Sequence, residues 1–271
     1  MNKLVLAVVV AAVVVIGGVL AYFLVLRSQG GSSQGGPGIA YFCAGFSPGP
    51  IQAIQLAERG VFQSSITYQG QTLCMGVKLT QQQAQYLKNL VSSSFVVGSS
   101  DAKVIVLEYL DPTCPYCSLF EAQYGQALRQ YVQNGTVLYA VRYFPTHVLG
   151  FLQGGPQQDF VAGVETWLGL TCIYNKTGAS QFYNALSSIY DMAAAYIVQY
   201  LQTGNSTLLN LYPLAQISYI QSQYPQCYVN ASPQQLVALV QNADNAVSAD
   251  ANVLGIPNNM LGTPLFVIYR G

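Results

Sequence analysis

The chain is poor in charged residues. Only 7% of its 271 residues are Asp, Glu, Lys or Arg, and ten acidic and ten basic residues cancel to a net charge of zero. Binding to nucleic acid relies on a basic surface that neutralises phosphates, so this composition excludes an electrostatic nucleic-acid binder. The polar surface must come instead from Gln, Asn, Ser, Thr and the hydroxyl groups of 20 Tyr residues.

Metal ligands are also scarce. His147 is the only histidine, and no second Cys-x-x-Cys pair accompanies the one at Cys114 and Cys117. A structural zinc site normally needs four nitrogen or sulfur ligands. The sequence therefore predicts no metal site, and it disfavours electron transfer through a bound metal. His147 follows a Phe-Pro pair and is predicted to be a loop residue without a chemical role.

No charged residue stands between Lys3 and Arg27, so that 4–26 is an uncharged stretch of 23 residues. As a helix this stretch would span about 34 Å, enough for a hydrocarbon core of about 30 Å. The hydrophobic part of a cleaved signal peptide is shorter, about 7–15 residues. We therefore predict a transmembrane signal anchor over residues 1–27, with a cleaved signal as the alternative. Residues 28–38 are predicted to be a flexible Gly/Ser/Gln linker.

The six cysteines favour an oxidising, extracytoplasmic compartment in a chain with an export signal. Four Asn-x-Ser/Thr sequons agree with that location and are glycosylation candidates: Asn134, Asn175, Asn205 and Asn230. We therefore expect a single-pass protein of the cell membrane with its folded domain outside the cytoplasm. The composition is similar to that of exported proteins from acidophilic, heat-loving archaea. The physical reason for such a composition is that a surface with few carboxylates loses little stability when acid protonates them. An unusual neutral exported protein is the alternative.

The most informative local pattern is Cys114-Pro115-Tyr116-Cys117. An apolar run from Val104 to Leu107 precedes it, and aromatic and apolar residues follow at helical spacing from Phe120 to Tyr131. This context places both sulfurs in the first turn of a helix, where free backbone N–H groups and the helix dipole favour a thiolate. We predict a redox site with Cys114 as the nucleophile and Cys117 as the buried resolving thiol.

These residues resemble the DsbA-like branch of the thioredoxin superfamily. Glu108 stands six positions before Cys114, where family members carry an acidic residue, and Gly98–Ala102 is similar to the lead into their strand. Gly262–Ile268 is similar to the segment that carries their cis-proline. The resemblance covers residues 95–271 and implies an α/β thioredoxin-like fold with a helical insertion, here preceded by the predicted transmembrane helix.

The resemblance also implies roles for single residues. Thr263 and Pro264, joined by a cis bond, would line the substrate groove opposite the cysteine pair. Glu108 lies among apolar residues of a strand, where a carboxylate needs a reason to be buried, and we predict that it shuttles protons to Cys117. The alternative is an exposed carboxylate or one paired with Lys103. Asp111 is predicted to be a turn residue before a proline.

The other four cysteines permit three pairings. We favour Cys43 with Cys74 and Cys172 with Cys227, because each pair then stays within its own segment. Relatives with this fold also often carry a Cys near the start of the helical insertion and another before its last helix. We expect both bridges to be structural. An electron relay from Cys43 and Cys74 to the active site is the alternative.

The predicted organisation has two folded parts after the linker. Residues 39–97 form an N-terminal extension, and residues 98–271 form the DsbA-like domain with a helical insertion at about 156–254. Thr80 and Ser232 are predicted to cap helices. Family members usually add a strand and a helix after the cis-proline strand, whereas this sequence ends there.

The sequence predicts a thiol–disulfide oxidoreductase that introduces disulfide bonds into exported proteins. It needs no cofactor, because the dithiol carries the two electrons. Exported proteins with cysteines would be its substrates, and a membrane partner would reoxidise it. A reductase or isomerase of the same fold stays open, because Pro-Tyr separates the cysteines instead of the Pro-His of the strongest oxidants. A non-catalytic surface binding module with a structural Cys114–Cys117 bridge is the alternative from another class.

Overall fold

A computed structural model describes residues 38–271. The predicted anchor at residues 1–27 lies outside the described residues, as does the predicted linker except for its last residue. In the part of the chain that is described, no helix combines the length and the apolar character needed to cross a membrane.

One mixed sheet of seven strands forms the centre of the described domain. In chain order its strands are β1 (Ile39–Ala44), β2 (Ser65–Tyr68), β3 (Gln71–Lys78), β4 (Phe95–Val97), β5 (Val104–Leu110), β6 (Val137–Tyr143) and β7 (Leu265–Arg270). Across the sheet their order is β2-β3-β1-β7-β5-β6-β4. β5 and β6 are parallel, and every other neighbouring pair is antiparallel.

Helices cover both faces of this sheet. Within residues 38–271 they are α1 (Gly49–Glu58), α2 (Gln81–Ser92), α3 (Pro115–Gln133), α4 (Thr146–Leu152), α5 (Gln157–Thr177), α6 (Ala179–Thr203), α7 (Thr207–Gln223) and α8 (Pro233–Leu254). Residues of α1, α3, α5, α6 and α7 share one apolar cluster with one face of the sheet. Residues of α2 and the second half of α8 form the cluster on the opposite face. The cysteine pair belongs to the first cluster.

The alternation of side chains along β5 decides which of them face α3. Val106 and Leu110 pack in the cluster that contains the cysteine pair, whereas Leu107 and Tyr109 pack on the opposite face. Glu108 has the same parity as Val106 and Leu110, so its carboxyl group lies on the face covered by α3.

The structure differs from the predicted division at residue 97. Residues 39–97 supply β1 to β4, which are four of the seven strands described, and β1 lies between β3 and β7 inside the sheet. They are therefore part of the same sheet as the residues that follow and not a separate extension. The difference arises because alternation in a sequence indicates where a strand occurs but not which strand it pairs with.

β1 fills the position beside β7 where a strand following β7 would form a hairpin. It pairs antiparallel with β7 over its whole length, from Ile39 opposite Arg270 to Ala44 opposite Leu265. Ala53 of α1 packs in the same cluster as the cysteine pair. The first strand and the first helix of the described domain therefore lie beside β7 and the cluster that contains the cysteine pair.

The helical insertion between β6 and β7 comprises α4 to α8 and begins at Thr146, earlier than the predicted start near residue 156. β6 ends at Tyr143, and Pro145 is the N-cap residue of α4. His147 therefore lies in the first turn of a helix and not in a loop. The predicted caps are present: Thr80 forms a capping box with Gln83 at the start of α2, and Ser232 does so at the start of α8.

Two disulfides join the cysteines in the expected pairing. Cys43 and Cys74 stand directly opposite each other on β1 and β3, and Cys172 of α5 is bonded to Cys227 in the short turn before α8. Cys43, Cys74 and Cys227 are buried. The first bridge links β1 to β3, and the second links α5 to the short turn before α8.

Replacing Cys43 and Cys74 together by Ala should lower the free energy of unfolding by about 2–4 kcal/mol, because the bridge constrains the unfolded chain. Urea unfolding under non-reducing conditions measures the change, and the double replacement of Cys172 and Cys227 is the matched comparison. An unchanged midpoint with an unchanged slope would show that the β1–β3 bridge does not stabilise the fold.

Candidate active site

The cysteine pair lies where β5 gives way to α3. Cys114 is the N-cap residue of α3, with an extended backbone, and Pro115 occupies the first helical position, where a missing N–H is tolerated. Cys117 lies in the first turn. Both thiols are free, and their residues are only 4% and 1% exposed. The Cys114 thiol donates a hydrogen bond to the backbone oxygen of Thr263 at 3.2 Å.

The loop before β7 is held from two sides. The Thr263–Pro264 peptide bond is cis. The hydroxyl group of Thr263 lies 2.5 Å from that of Thr146 at the start of α4. The backbone oxygen of Pro264 accepts a hydrogen bond from the N–H of Gly45, just after β1, at 2.9 Å. The predicted groove residues and the cysteine pair are therefore brought together.

The two thiols have opposite pKa shifts. A hydrogen bond from the Cys117 thiol to the Cys114 sulfur lowers the pKa of Cys114, although burial acts in the other direction. Burial raises the pKa of Cys117 well above its usual range, and the bond to Cys114 adds to that shift. Cys114 is therefore the thiol that ionises first, and Cys117 keeps its proton.

Glu108 is buried beneath this pair. Its residue is 4% exposed, and the Tyr139 hydroxyl donates a hydrogen bond to its carboxyl group at 2.5 Å. Burial raises the pKa of Glu108 to about 8, while the bond from Tyr139 acts in the opposite direction. The alternative of an exposed or Lys103-paired carboxylate is wrong, because Lys103 is exposed at the other end of the strand. Glu108 also contributes to the raised pKa of Cys117.

Asp111 does more than make a turn. It is completely buried, and its carboxyl group accepts hydrogen bonds from the backbone N–H and the hydroxyl of Thr113 at 2.9 and 2.8 Å. The other oxygen accepts from the backbone N–H groups of His147 and Val148 at 2.9 and 3.0 Å. The hydrogen bonds of Asp111 thus join the turn before Cys114 to the start of α4. The bonds to Thr113 are local and could have been foreseen from Asp-Pro-Thr, whereas those to α4 could not.

Two exposed aromatic side chains belong to the segments that form the site, although the thiols themselves are nearly buried. Tyr116, between the two cysteines, is 59% exposed, and Phe46 is 37% exposed. Phe46 follows Gly45, which holds the Pro264 loop. Sequence reasoning did not identify Phe46, because nothing local relates the end of β1 to β7.

Other sequence candidates lie away from the cysteine pair. The four sequon asparagines are all exposed, and their glycosylation stays a prediction. Among residues 38–271, no group of three or more His, Cys, Asp or Glu side chains is arranged to hold a metal ion.

Replacing Glu108 by Gln should change how stability depends on pH. A carboxyl group whose pKa rises from 4.5 to about 8 on folding stabilises the fold in its protonated form. That stability is fully present below pH 4.5 and is lost as the pH rises through about 8. The free energy of unfolding of the wild type should therefore fall relative to Glu108→Gln across this interval. Urea unfolding at several pH values checks it, with Glu58→Gln, which removes an exposed carboxylate, as the control. Parallel curves would contradict the buried, protonated state.

Comparison with known proteins agrees with this architecture. A family model described as thioredoxin matches residues 91–188, which include β5, α3 and β6. Two bacterial proteins provisionally named protein-disulfide oxidoreductases are similar over short stretches. One, from Rickettsia bellii, is 34% identical over 53 residues, and one from Rickettsia typhi is 35% identical over 54 residues. These matches cover 19% and 20% of this chain and 20% of each relative.

Solved structures with detectable similarity include alpha-DsbA1 from Wolbachia pipientis, at 22% identity and a TM-score of 0.39, covering 64% of this chain and 74% of that one. DsbA2 from Pseudomonas aeruginosa is 15% identical, with a TM-score of 0.35 and coverage of 65% and 79%. The parallel β5–α3–β6 unit, the antiparallel β7 and the helices inserted between β6 and β7 give the described domain a thioredoxin-like α/β fold with a helical insertion.

Proposed function

We propose that the protein is a thiol–disulfide oxidoreductase that introduces disulfide bonds into exported proteins. The observation that carries the proposal is the asymmetry of the cysteine pair. Cys114 has a lowered pKa and lies against Thr263, whereas Cys117 is buried with a raised pKa. A thiol of low pKa is a good leaving group and stabilises the reduced enzyme, which makes the pair oxidising. The names of the curated relatives support the same chemistry.

The reaction begins when a substrate thiolate attacks the Cys114 sulfur of the oxidised enzyme. A disulfide forms between the substrate and Cys114, the Cys114–Cys117 bond breaks, and Cys117 leaves as a thiolate that takes a proton from Glu108. A second substrate thiolate attacks the substrate sulfur of the mixed disulfide and releases Cys114 as a thiolate. Two electrons pass from substrate to enzyme, so the dithiol is the only redox group required.

The groove for the substrate runs past Thr263 and Pro264. The backbone beside a cis-proline can pair with an extended peptide by strand addition, which would place a substrate cysteine next to Cys114. The exposed rings of Tyr116 and Phe46 offer apolar contact area to such a segment. This mode of binding depends on backbone more than on side chains, so it suits substrates of many sequences.

The proposal includes a location. The uncharged run of residues 4–26 anchors the protein in the cell membrane, and the domain lies on the extracytoplasmic side, where disulfides persist. Its partners are exported proteins with cysteines and a membrane protein that reoxidises the pair. The two bridges outside the active site support an oxidising compartment.

The reduction potential of the Cys114–Cys117 pair tests the direction of electron flow. The full-length chain is equilibrated with glutathione buffers and its free thiols are trapped. We expect a value near that of DsbA, about −120 mV, whereas a value near that of thioredoxin, about −270 mV, would indicate a reductase. A pair that stays oxidised in every buffer would reject catalysis and favour the non-catalytic binding module.

The order of attack gives a second prediction. Cys117→Ser should accumulate a mixed disulfide with an unfolded substrate protein that still carries a disulfide. The Cys114 thiolate opens that disulfide, one substrate thiolate leaves, and no resolving thiol at position 117 is present to release the adduct. Cys114→Ser should form none, since Cys117 is 1% exposed. Non-reducing gel electrophoresis detects the adduct. Adducts of equal yield on both variants would contradict the assigned roles.

A further inference from the structure

Three consecutive backbone carbonyl groups precede Cys114, and each accepts a hydrogen bond from a different side chain of the helical insertion. The oxygen of Asp111 accepts from the Tyr190 hydroxyl at 3.3 Å. The oxygen of Pro112 accepts from the Gln216 amide at 2.7 Å. The oxygen of Thr113 accepts from the Tyr212 hydroxyl at 2.6 Å. The insertion thus donates a hydrogen bond to each of the three carbonyl groups in the turn that leads into the active site.

These three donors are buried parts of the insertion. Tyr190 lies on α6, and Tyr212 and Gln216 lie one turn apart on α7; their residues are 2%, 1% and 0% exposed. Tyr212 is itself within 3.1 Å of His147 Nε2. Buried polar side chains are costly unless they are bonded. The polar groups of the three side chains are therefore used to bind the carbonyl groups of the turn, and the side chains do not only fill space in the core.

The side chain of Asp111 also holds the turn in place through hydrogen bonds. The Asp111 carboxyl group bonds two N–H groups at the start of α4, and α4 contacts Thr263 through Thr146. Thr263 in turn accepts the bond from Cys114. Three helices of the insertion, α4, α6 and α7, thereby hold the turn that leads into Cys114 and the segment that contacts its sulfur.

We propose that the helical insertion sets the redox equilibrium of the Cys114–Cys117 pair by holding the carbonyl groups of residues 111–113, with Tyr190, Tyr212 and Gln216 as positioning residues. A carbonyl oxygen carries partial negative charge. A bonded oxygen is fixed in direction and its charge is partly offset by the donor. When its donor is removed, the oxygen of Pro112 or Thr113 is free to turn towards the Cys114 sulfur. Its partial charge then destabilises the Cys114 thiolate and with it the reduced enzyme. The oxygen of Asp111 keeps a bond from the backbone N–H of Cys114 at 2.9 Å. This inference rests on the proposed function.

The experiment uses Tyr212→Phe and Gln216→Met in the full chain. Both replacements keep the volume of the side chain and remove one donor to the turn. The Gln216 side-chain oxygen has no partner in the described structure, so Gln216→Met loses no second bond, whereas Tyr212→Phe also loses the contact with His147 Nε2. Tyr143→Phe is the matched control, because it removes a buried hydroxyl that bonds no described group. The titratable groups around the turn, Asp111, Cys117, Glu108 and His147, are unchanged in all three variants.

Two quantities are measured: the pH dependence of Cys114 alkylation in the reduced protein, and the equilibrium with glutathione. In Tyr212→Phe and Gln216→Met we expect Cys114 to ionise at higher pH and the pair to become about 3- to 10-fold easier to oxidise, the size of effect of one hydrogen bond. A tenfold change corresponds to about 30 mV for two electrons. Tyr190→Phe, which removes the longest of the three bonds, should show the smallest shift.

The Cys114 titration and the glutathione equilibrium distinguish tuning of the cysteine pair from a purely structural role of the three donors. A variant that only loosens the fold lowers the unfolding temperature and leaves the Cys114 titration in place. Wild-type titration and equilibrium in both folded variants would overturn the inference, as would an equal shift in Tyr143→Phe. If no glutathione buffer reduces the wild-type Cys114–Cys117 pair, the proposed function itself is rejected. If the pair is reducible but no variant shifts its equilibrium with glutathione, only the tuning role is rejected.

Discussion

The antiparallel pairing of β5 with β7 is the contact on which the whole site depends. Cys114 and Thr263 are 149 positions apart in the chain. They meet because β5 ends and β7 begins at the same edge of the sheet, with Tyr109 opposite Leu265. The same register puts Glu108 opposite Phe266, on the face that α3 covers. A slip of one residue would turn every side chain of the strand to the other face and move the carboxyl group away from Cys117.

Charged residue types are rare in this protein, yet most of its acidic residues are buried. Six of the ten acidic residues are buried: Glu108, Asp111, Glu121, Asp159, Glu165 and Asp250. Burial raises the pKa of all six. Groups of this kind favour the folded state when they are protonated, so their contribution to stability is retained in acid and declines as the pH rises through their folded pKa values.

The parts of the site that are local in sequence could be predicted, and those that depend on distant contacts could not. The Cys-Pro-Tyr-Cys turn at the start of a helix, the capping box at Ser232 and the carboxyl group at Glu108 follow from short patterns. The family resemblance added the segment at Pro264. The central place of β1 and the bonds of Asp111 to α4 did not follow, because strand order and buried polar networks depend on partners far along the chain. Tyr190, Tyr212 and Gln216 were missed for the same reason, since within their own helices they look like ordinary packing residues.

The bridge between Cys43 and Cys74 has a consequence for local opening. β1 begins at the end of the sheet away from the cysteine pair and runs towards it, so its first pairs with β3, such as Ile39 with Lys78, are the ones from which the two strands can fray. Fraying that advances along β1 reaches Cys43 before it reaches Gly45. At that point the covalent link keeps β1 joined to β3, so separation of these two strands cannot advance to Gly45, which bonds Pro264. The disulfide therefore limits how far an opening of the β1–β3 pair can extend towards the loop that contacts Cys114.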